Sequence, residues 1–409
     1  MPLRFATLAL AALALLPGAA AAATWSAPRA ITSSGTAYGP AVAVGSPNVL
    51  GISYARTIHG TQRIEYRRAV SGRFARIVIV DRMSRDQSPA LTFAGQRATV
   101  AWVRAGHTGR AVAVSRVSPR GFVSGPESLG GAPNQYEPRF PDPAQLLFNT
   151  RATSTVSGLA STGKPTVGVK LPRGATFDAT VAVLPNGDRL ALWSENGRVY
   201  SAREVHGAFK FGTPARLSDL GGYARDPHVV VTSDGHALAL WRQSGAVRTA
   251  SLVPGAQAFA VSRELVAPAE AAEGLSAIAT SAGDVQVTYV SSPGDTPAGP
   301  LRALRVDPAG GAASAVTTLT APGERARSAS LAIDTSAAWA AWTTAGQVRH
   351  TIRVARLAVG GIPAETRTLS GGDSAASTPP AFALSLRGRG LIAWATASGR
   401  IHAVTRAGL

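Results

Sequence analysis

The chain has 409 residues, 41 of them basic against 23 acidic, a formal charge of +18 and no cysteine. The absence of cysteine excludes disulfide support and a cysteine-linked lipid anchor, so the fold must rest on its core, which a chain of this length can bury. The charge points toward an anionic partner rather than a cationic one.

The N-terminus reads "MPLRFATLALAALALLPGAAAAATW". Arg4 is a short positive region, residues 5–16 are an apolar stretch too short to span a bilayer, and Ala21-Ala22-Ala23 fit a cleavage site. Residues 1–23 are therefore expected to be a secretory signal peptide, and residues 24–409 a single secreted or periplasmic domain. No later run holds enough apolar residues for a membrane span. The bias toward Arg, Ala, Gly and Val resembles that of a GC-rich bacterial genome. For an exported chain the expected anionic partners are a polysaccharide, a wall polymer or an extracellular protein. Nucleic acid is not expected, and the protein is expected to be a monomer.

From residue 50 onward one phrase recurs: a short strand of small apolar residues ending in an aromatic. Its copies end at Tyr54, Trp102, Phe148, Trp193, Trp241, Tyr289, Trp342 and Trp394, spaced 45–53 residues apart. Each copy has the same order of parts. A first strand such as "HVVV" (228–231) precedes a tight turn such as "PNGD" or "SDG", where Gly and Asn accept positive φ. The aromatic-ended strand follows, then an arginine-bearing strand such as "GAVRTASLV", then a fourth strand after a glycine turn. Four antiparallel strands at this period describe a propeller blade. "ALALW" is apolar on both alternating faces, as an inner strand pressed between neighbouring blades must be. The aromatics are thus expected to be structural anchors.

The expected fold is all-β: a β-propeller of eight four-stranded blades, or seven if the irregular third copy (about 138–177) is not a blade. The last copy stops at its third strand, and "TWSAPRAITSSG" at residues 24–35 resembles the fourth-strand phrase "KFGTPARLSDLGG". Residues 24–34 are therefore expected to complete the last blade and close the ring.

"PNGDRLALWS" is similar to the turn of TolB-like repeats, and the whole pattern resembles secreted bacterial propellers with sialidase-like or TolB-like repeats. The third-to-fourth turns, "VSPRGF", "VHGAF" and "VPGAQAF", lack the Asp box of sialidases. No catalytic residue carries over from that resemblance, because fold alone does not fix function.

Crossovers between blades and the turns between second and third strands share one face of a propeller, the expected binding surface. "YARTIHG" and "WVRAGHTG" place Arg56 and His59, and Arg104 and His107, at the same offsets from Tyr54 and Trp102. Arginine offers a planar fork for carboxylate or phosphate, and histidine a donor that charges near about pH 6.5. Together with Arg82, Arg85 and Arg139, and with Tyr223 and Arg225 on another crossover, they form a candidate anion-binding rim. Exchanging both arginines for Gln is expected to weaken binding and leave the fold unaffected, as surface changes do; the bland alternative is two solvated loops copied by repeat duplication. No metal motif, nucleophile elbow or phosphate loop is present, so no cofactor and no metal are expected. A binding or scaffold module is the expected function. The alternative is a sialidase-like glycoside hydrolase or a polysaccharide lyase, which requires rim carboxylates at suitable separation.

Overall fold

The computed structural model of the chain describes residues 24–45, 49–82, 89–106, 109–129, 135–142, 145–149, 154–159, 165–172, 179–292, 298–310, 312–345, 350–358, 363–370 and 379–408. The leader expected over residues 1–23, Arg85 and His107 lie outside the described residues.

Eight antiparallel sheets stand in a ring. In blade 5, Ala224–Val231 is innermost, followed outward by Ala237–Gln243, Ala246–Leu252 and Arg263–Val266. The other blades repeat this order. The innermost strand of each blade packs against that of the next, from Thr36–Val44 in blade 1 round to Ala381–Leu384 in blade 8, which touches Thr36–Val44 again. Blade 1 has a split outer edge, with Arg73–Phe74 and Val78–Asp81 both paired to Thr61–Val70. The irregular third copy is a full blade, made of Tyr136–Asp142, Gln145–Asn149, Ser154–Leu159 and Pro165–Lys170. The ring therefore has eight blades. Among the described residues there is no α-helix, and so no helix long and apolar enough to cross a membrane.

The anchors fill the layers between blades. Tyr54, Trp102, Trp241, Tyr289 and Trp342 have no exposed surface, and Phe148, Trp193 and Trp394 are at most 4% exposed. Each cluster draws on two neighbours: Trp102 and Phe93 of blade 2 pack with Ile64 and Tyr66 of blade 1. Full burial of such a side chain stabilises the fold by about 1.5–3 kcal/mol or more. Small alanines at alternate positions let the sheets approach.

Closure is made by the N-terminus. Arg29–Ala30 pairs antiparallel with Ile401–Arg406 as the outer strand of blade 8. The Ser26 and Ile31 amides donate to the Thr405 and Ile401 carbonyls at 2.8 and 2.7 Å. The Ile401 amide donates to Thr32 Oγ1 at 3.0 Å. Trp25 packs edge-on to Trp339 of blade 7 with ring centroids 6.2 Å apart, and against Phe382 of blade 8. The ring is thus sealed by hydrogen bonds and by one buried indole.

Antiparallel order fixes two faces. Crossovers and second-to-third turns lie on the upper face. First-to-second and third-to-fourth connections lie on the lower one.

Candidate functional site

The upper ends of the inner strands carry a repeated irregularity. Strand register breaks between Tyr38 and Ala41, Arg225 and His228, Glu273 and Ser276, and Ala326 and Ala329. Gly39, Asp226 and Gly274 sit in these bulges with φ of +57°, +57° and +53°. A bulge re-aims side chains at the end of a strand. In four blades it places one buried alanine (Ala37, Ala224, Ala272, Ala326) before the strand-end residue: exposed Arg225 and Arg327, half-buried Glu273, and Tyr38, which packs against the core between blades 1 and 2. The glycine of blade 6 is required for a second reason. A Cβ on Gly274 would stand 2.4 Å from the Arg327 carbonyl oxygen of blade 7.

Blades 5 and 6 turn this geometry into a charged cluster. Arg225 Nη2 donates to Glu273 Oε1 at 3.0 Å across the blade boundary. Arg242, on the second strand of blade 5, lies beneath. Its Nε donates to Asp226 Oδ2 at 3.1 Å and its Nη1 to the Ala272 carbonyl at 3.0 Å, and Nη1 also pairs with Glu273. His228 Nε2 is 3.5 Å from Asp226 Oδ1. Burial pushes the Asp226 carboxyl up, but the hydrogen bonds and charges of His228 and Arg242 outweigh that and hold it below the usual carboxylate range. A non-glycine residue at positive φ inside such a network is the kind of backbone strain that clusters at functional positions.

Tyr223 stands beside this cluster on the crossover into blade 5 and is 66% exposed. Its ring lies over the backbone of Gly197, in the second-to-third turn of blade 4. A Cβ there would stand 2.7 Å from Tyr223 Cδ2. The Ala224 amide donates to the Gly197 carbonyl at 2.8 Å, tying crossover to turn. The Arg225 guanidinium sits 6.0 Å from the Tyr223 ring centroid. Only Arg225 Nη2 meets a carboxylate, so Nε and Nη1 remain open to solvent among the described residues. The result is a fixed aromatic platform flanked by a half-exposed guanidinium.

The arginines of the first two blades fare differently. Arg56 is 3% exposed. Its Nη1 donates to Glu65 Oε2 at 3.1 Å, its Nε to the Ser34 carbonyl at 2.7 Å and its Nη2 to Ser34 Oγ at 3.0 Å. It is buried inside blade 1 rather than open on the rim, because Glu65 lies directly across from Tyr54 on the third strand. Arg104 is part-exposed and lies 3.5 Å from Asp81, which also accepts from the Trp102 indole at 2.9 Å. The two arginines therefore do not form one pocket. His59 is exposed in its turn at φ +47°. Arg82 is exposed at the start of the crossover into blade 2, and Arg139 is exposed part-way down the inner strand of blade 3.

Third-strand arginines are clamps rather than ligand groups. Arg248, Arg302 and Arg353 lie opposite the anchors Trp241, Tyr289 and Trp342. Each pairs with a carboxylate of the preceding crossover, Asp219, Glu270 and Glu324. The Arg353–Glu324 distance is 3.1 Å, and Glu324 also accepts from the Trp342 indole at 3.1 Å. His228, Arg242 and Glu273 were not among the expected site residues. A signal for Glu273 was the phrase Ala-x-Gly/Asp at residues 37–39, 224–226 and 272–274, visible only once the copies are aligned on their inner strands; His228 and Arg242 lie outside it. Among the described residues no group of three His, Asp or Glu is placed to hold a metal ion.

No protein-family model and no curated protein matches the chain. Solved structures do. The chain is similar to the Dos1 propeller, with a TM-score of 0.57 at 11% identity, covering 94% of this chain and 95% of that one. A catalytically inactive variant of virginiamycin B lyase from Staphylococcus aureus, solved with quinupristin, aligns at TM-score 0.45 and 12% identity over 94% and 99%. A Dyadobacter fermentans protein of unknown function aligns at TM-score 0.44 and 11% identity over 96% and 100%. At such identities the likeness speaks to the fold and to nothing finer, and the fold is a β-propeller.

Proposed function

We propose that this protein is an exported, non-catalytic binding or scaffold propeller whose upper face takes an anionic ligand. The observation that carries this reading is the Tyr223 platform with Arg225 beside it. An exposed aromatic face takes an apolar ring or chain, while the open guanidinium nitrogens take a carboxylate, sulfate or phosphate. Arg327, at the matching place in blade 7, and Arg82 add positive charge to the same face. An acidic polysaccharide or wall polymer presents both features, and an acidic patch of an extracellular protein presents the second.

A glycosidase would need one rim carboxyl that keeps its proton beside one that does not. Asp226 and Glu273 are both paired with Arg242, and Asp226 is held ionised. That arrangement favours binding over hydrolysis.

An array of acidic glycans and wall polymers, probed at two salt concentrations, tests the reading. Binding to acidic members that weakens with salt, and roughly tenfold on Tyr223→Ala, supports it. Turnover of any member, or binding indifferent to Tyr223 and Arg225 together, overturns it.

A further inference from the structure

The lower face has its own chemistry. Among the described residues, eight of the ten large apolar side chains that stand exposed lie on it. In four blades the exposed apolar residue has an exposed cation beside it in the same connection. The pairs are Val70 with Arg73 in blade 1, Phe122 with Arg120 in blade 2, Phe209 with Lys210 in blade 4, and Leu386 with Arg387 in blade 8. Phe122 is 73% exposed and Phe209 69%. Phe209 is held outward at φ +54°, a conformation that costs a non-glycine residue energy. None of the four cations is ion-paired with a described residue.

Among the described residues, the aspartates in the turns of this face are already engaged. Asp188, Asp284 and Asp334 pair with Arg203, Arg305 and Arg406 at 2.5, 3.0 and 3.5 Å. Asp234 bonds within its own turn to Thr232 and His236, and Asp307 accepts from the Ala309 amide. The surplus on the face is therefore positive, and it sits next to apolar tips.

The four tips come from four different blades. Three of those blades, 8, 1 and 2, are consecutive and the fourth is blade 4, so the tips follow one arc of the ring, one per blade, rather than the central, close-packed cluster that holds a protein partner. A bilayer rewards this arrangement: each apolar tip enters the headgroup boundary while its neighbouring cation meets lipid phosphate. We propose that the lower face docks on an anionic lipid bilayer. This inference is independent of the ligand read for the upper face.

The test is co-sedimentation of the full exported chain with vesicles of phosphatidylcholine alone and with phosphatidylglycerol added. Binding is expected only to the anionic vesicles, and it should weaken as salt screens the charges. The combined change Arg120→Gln, Lys210→Gln and Arg387→Gln should weaken it by about a hundredfold, on about a fivefold loss per cation. Phe122→Ser with Phe209→Ser and Leu386→Ser should reduce it at least tenfold. These are exposed positions, so melting temperatures should stay near wild type. Tyr223→Ala with Arg225→Gln should leave vesicle binding unchanged, which separates this surface from the upper one. Equal affinity for neutral and anionic vesicles, no binding to either, or wild-type binding by the three-serine variant would overturn the proposal. The last of these would leave general basicity as the sole cause of attraction.

Discussion

Arg56 and Arg104 occupy the same offset in neighbouring repeats, and their surroundings separate them. Arg56 faces Glu65, which has no exposed surface, while Arg104 sits part-exposed near Asp81. Removing one partner of a buried pair leaves an uncompensated charge. Arg56→Gln should therefore destabilise the protein by about 3 kcal/mol, the lower end of the usual range because Arg63 still pairs with Glu65. Arg104→Gln should cost about 1 kcal/mol or less. Urea unfolding of the two variants measures the difference, and equal midpoints would contradict the assignment. On the upper face, Tyr223→Ala and Arg225→Gln should each weaken binding of an acidic polymer by roughly tenfold without moving the midpoint. Arg29→Gln and Arg400→Gln, distant from the platform, are the charge-matched control. A control pair drawn from third-strand arginines such as Arg248 would be unsuitable, because Arg248 ties down the crossover that carries Tyr223.

At the scale of elements, the N-terminal strand is the part that no local rule protects. It makes few backbone bonds, yet it covers the edge of Ile401–Arg406 and brings Trp25 into the core at 9% exposure. Deleting residues 24–34 should expose that edge and promote self-association. Trp25→Ala alone should cost about 3–5 kcal/mol. Light scattering and a thermal melt of both variants check this, and a monomeric deletion variant with an unchanged melt would refute closure by this strand. The bulge offers a second check. Gly274→Ala adds a Cβ against the Arg327 carbonyl at a positive φ, and should destabilise by about 1–3 kcal/mol. An unperturbed melt would show that blades 6 and 7 are less closely packed there.

Across the whole molecule, ionisation couples to folding through the paired aspartates. Burial raises Asp188 and Asp334, but hydrogen bonds from His206 and Arg203, and from Ser336, Trp339 and Ala337, outweigh it. Both are held below the usual carboxylate range, as Asp226 is. The unfolded chain then binds more protons in acid, because its carboxylates titrate near about pH 3.9. Their contribution to stability is complete above that pH and is lost as pH falls through the depressed folded values. The urea midpoint should fall steeply below about pH 4. Asp334→Asn, which is destabilised at neutral pH, should lose less of its midpoint over the same range. A wild-type midpoint flat down to about pH 3 would show that these groups are not depressed.

The repeat, the two-faced apolar strands, the aromatic anchors and the closing strand were all legible in the sequence. The residues that create them are close together along the chain: "ALALW" declares its burial by alternation, and "DG" declares its turn. The eight-blade count needed the structure, because the third copy is irregular in sequence, and its strands, Tyr136–Asp142 through Pro165–Lys170, still pair into a full blade despite register shifts. The fate of the charges was decided by tertiary structure. Arg56 finds Glu65 opposite Tyr54, whereas the residue opposite Trp102 is Ala113, so identical offsets gave different environments. Arg225 meets Glu273 only because consecutive blades bring bulges at the same height side by side. Strand periodicity is a property of neighbours in sequence, while an ion pair depends on which distant side chain the register and the ring bring within reach.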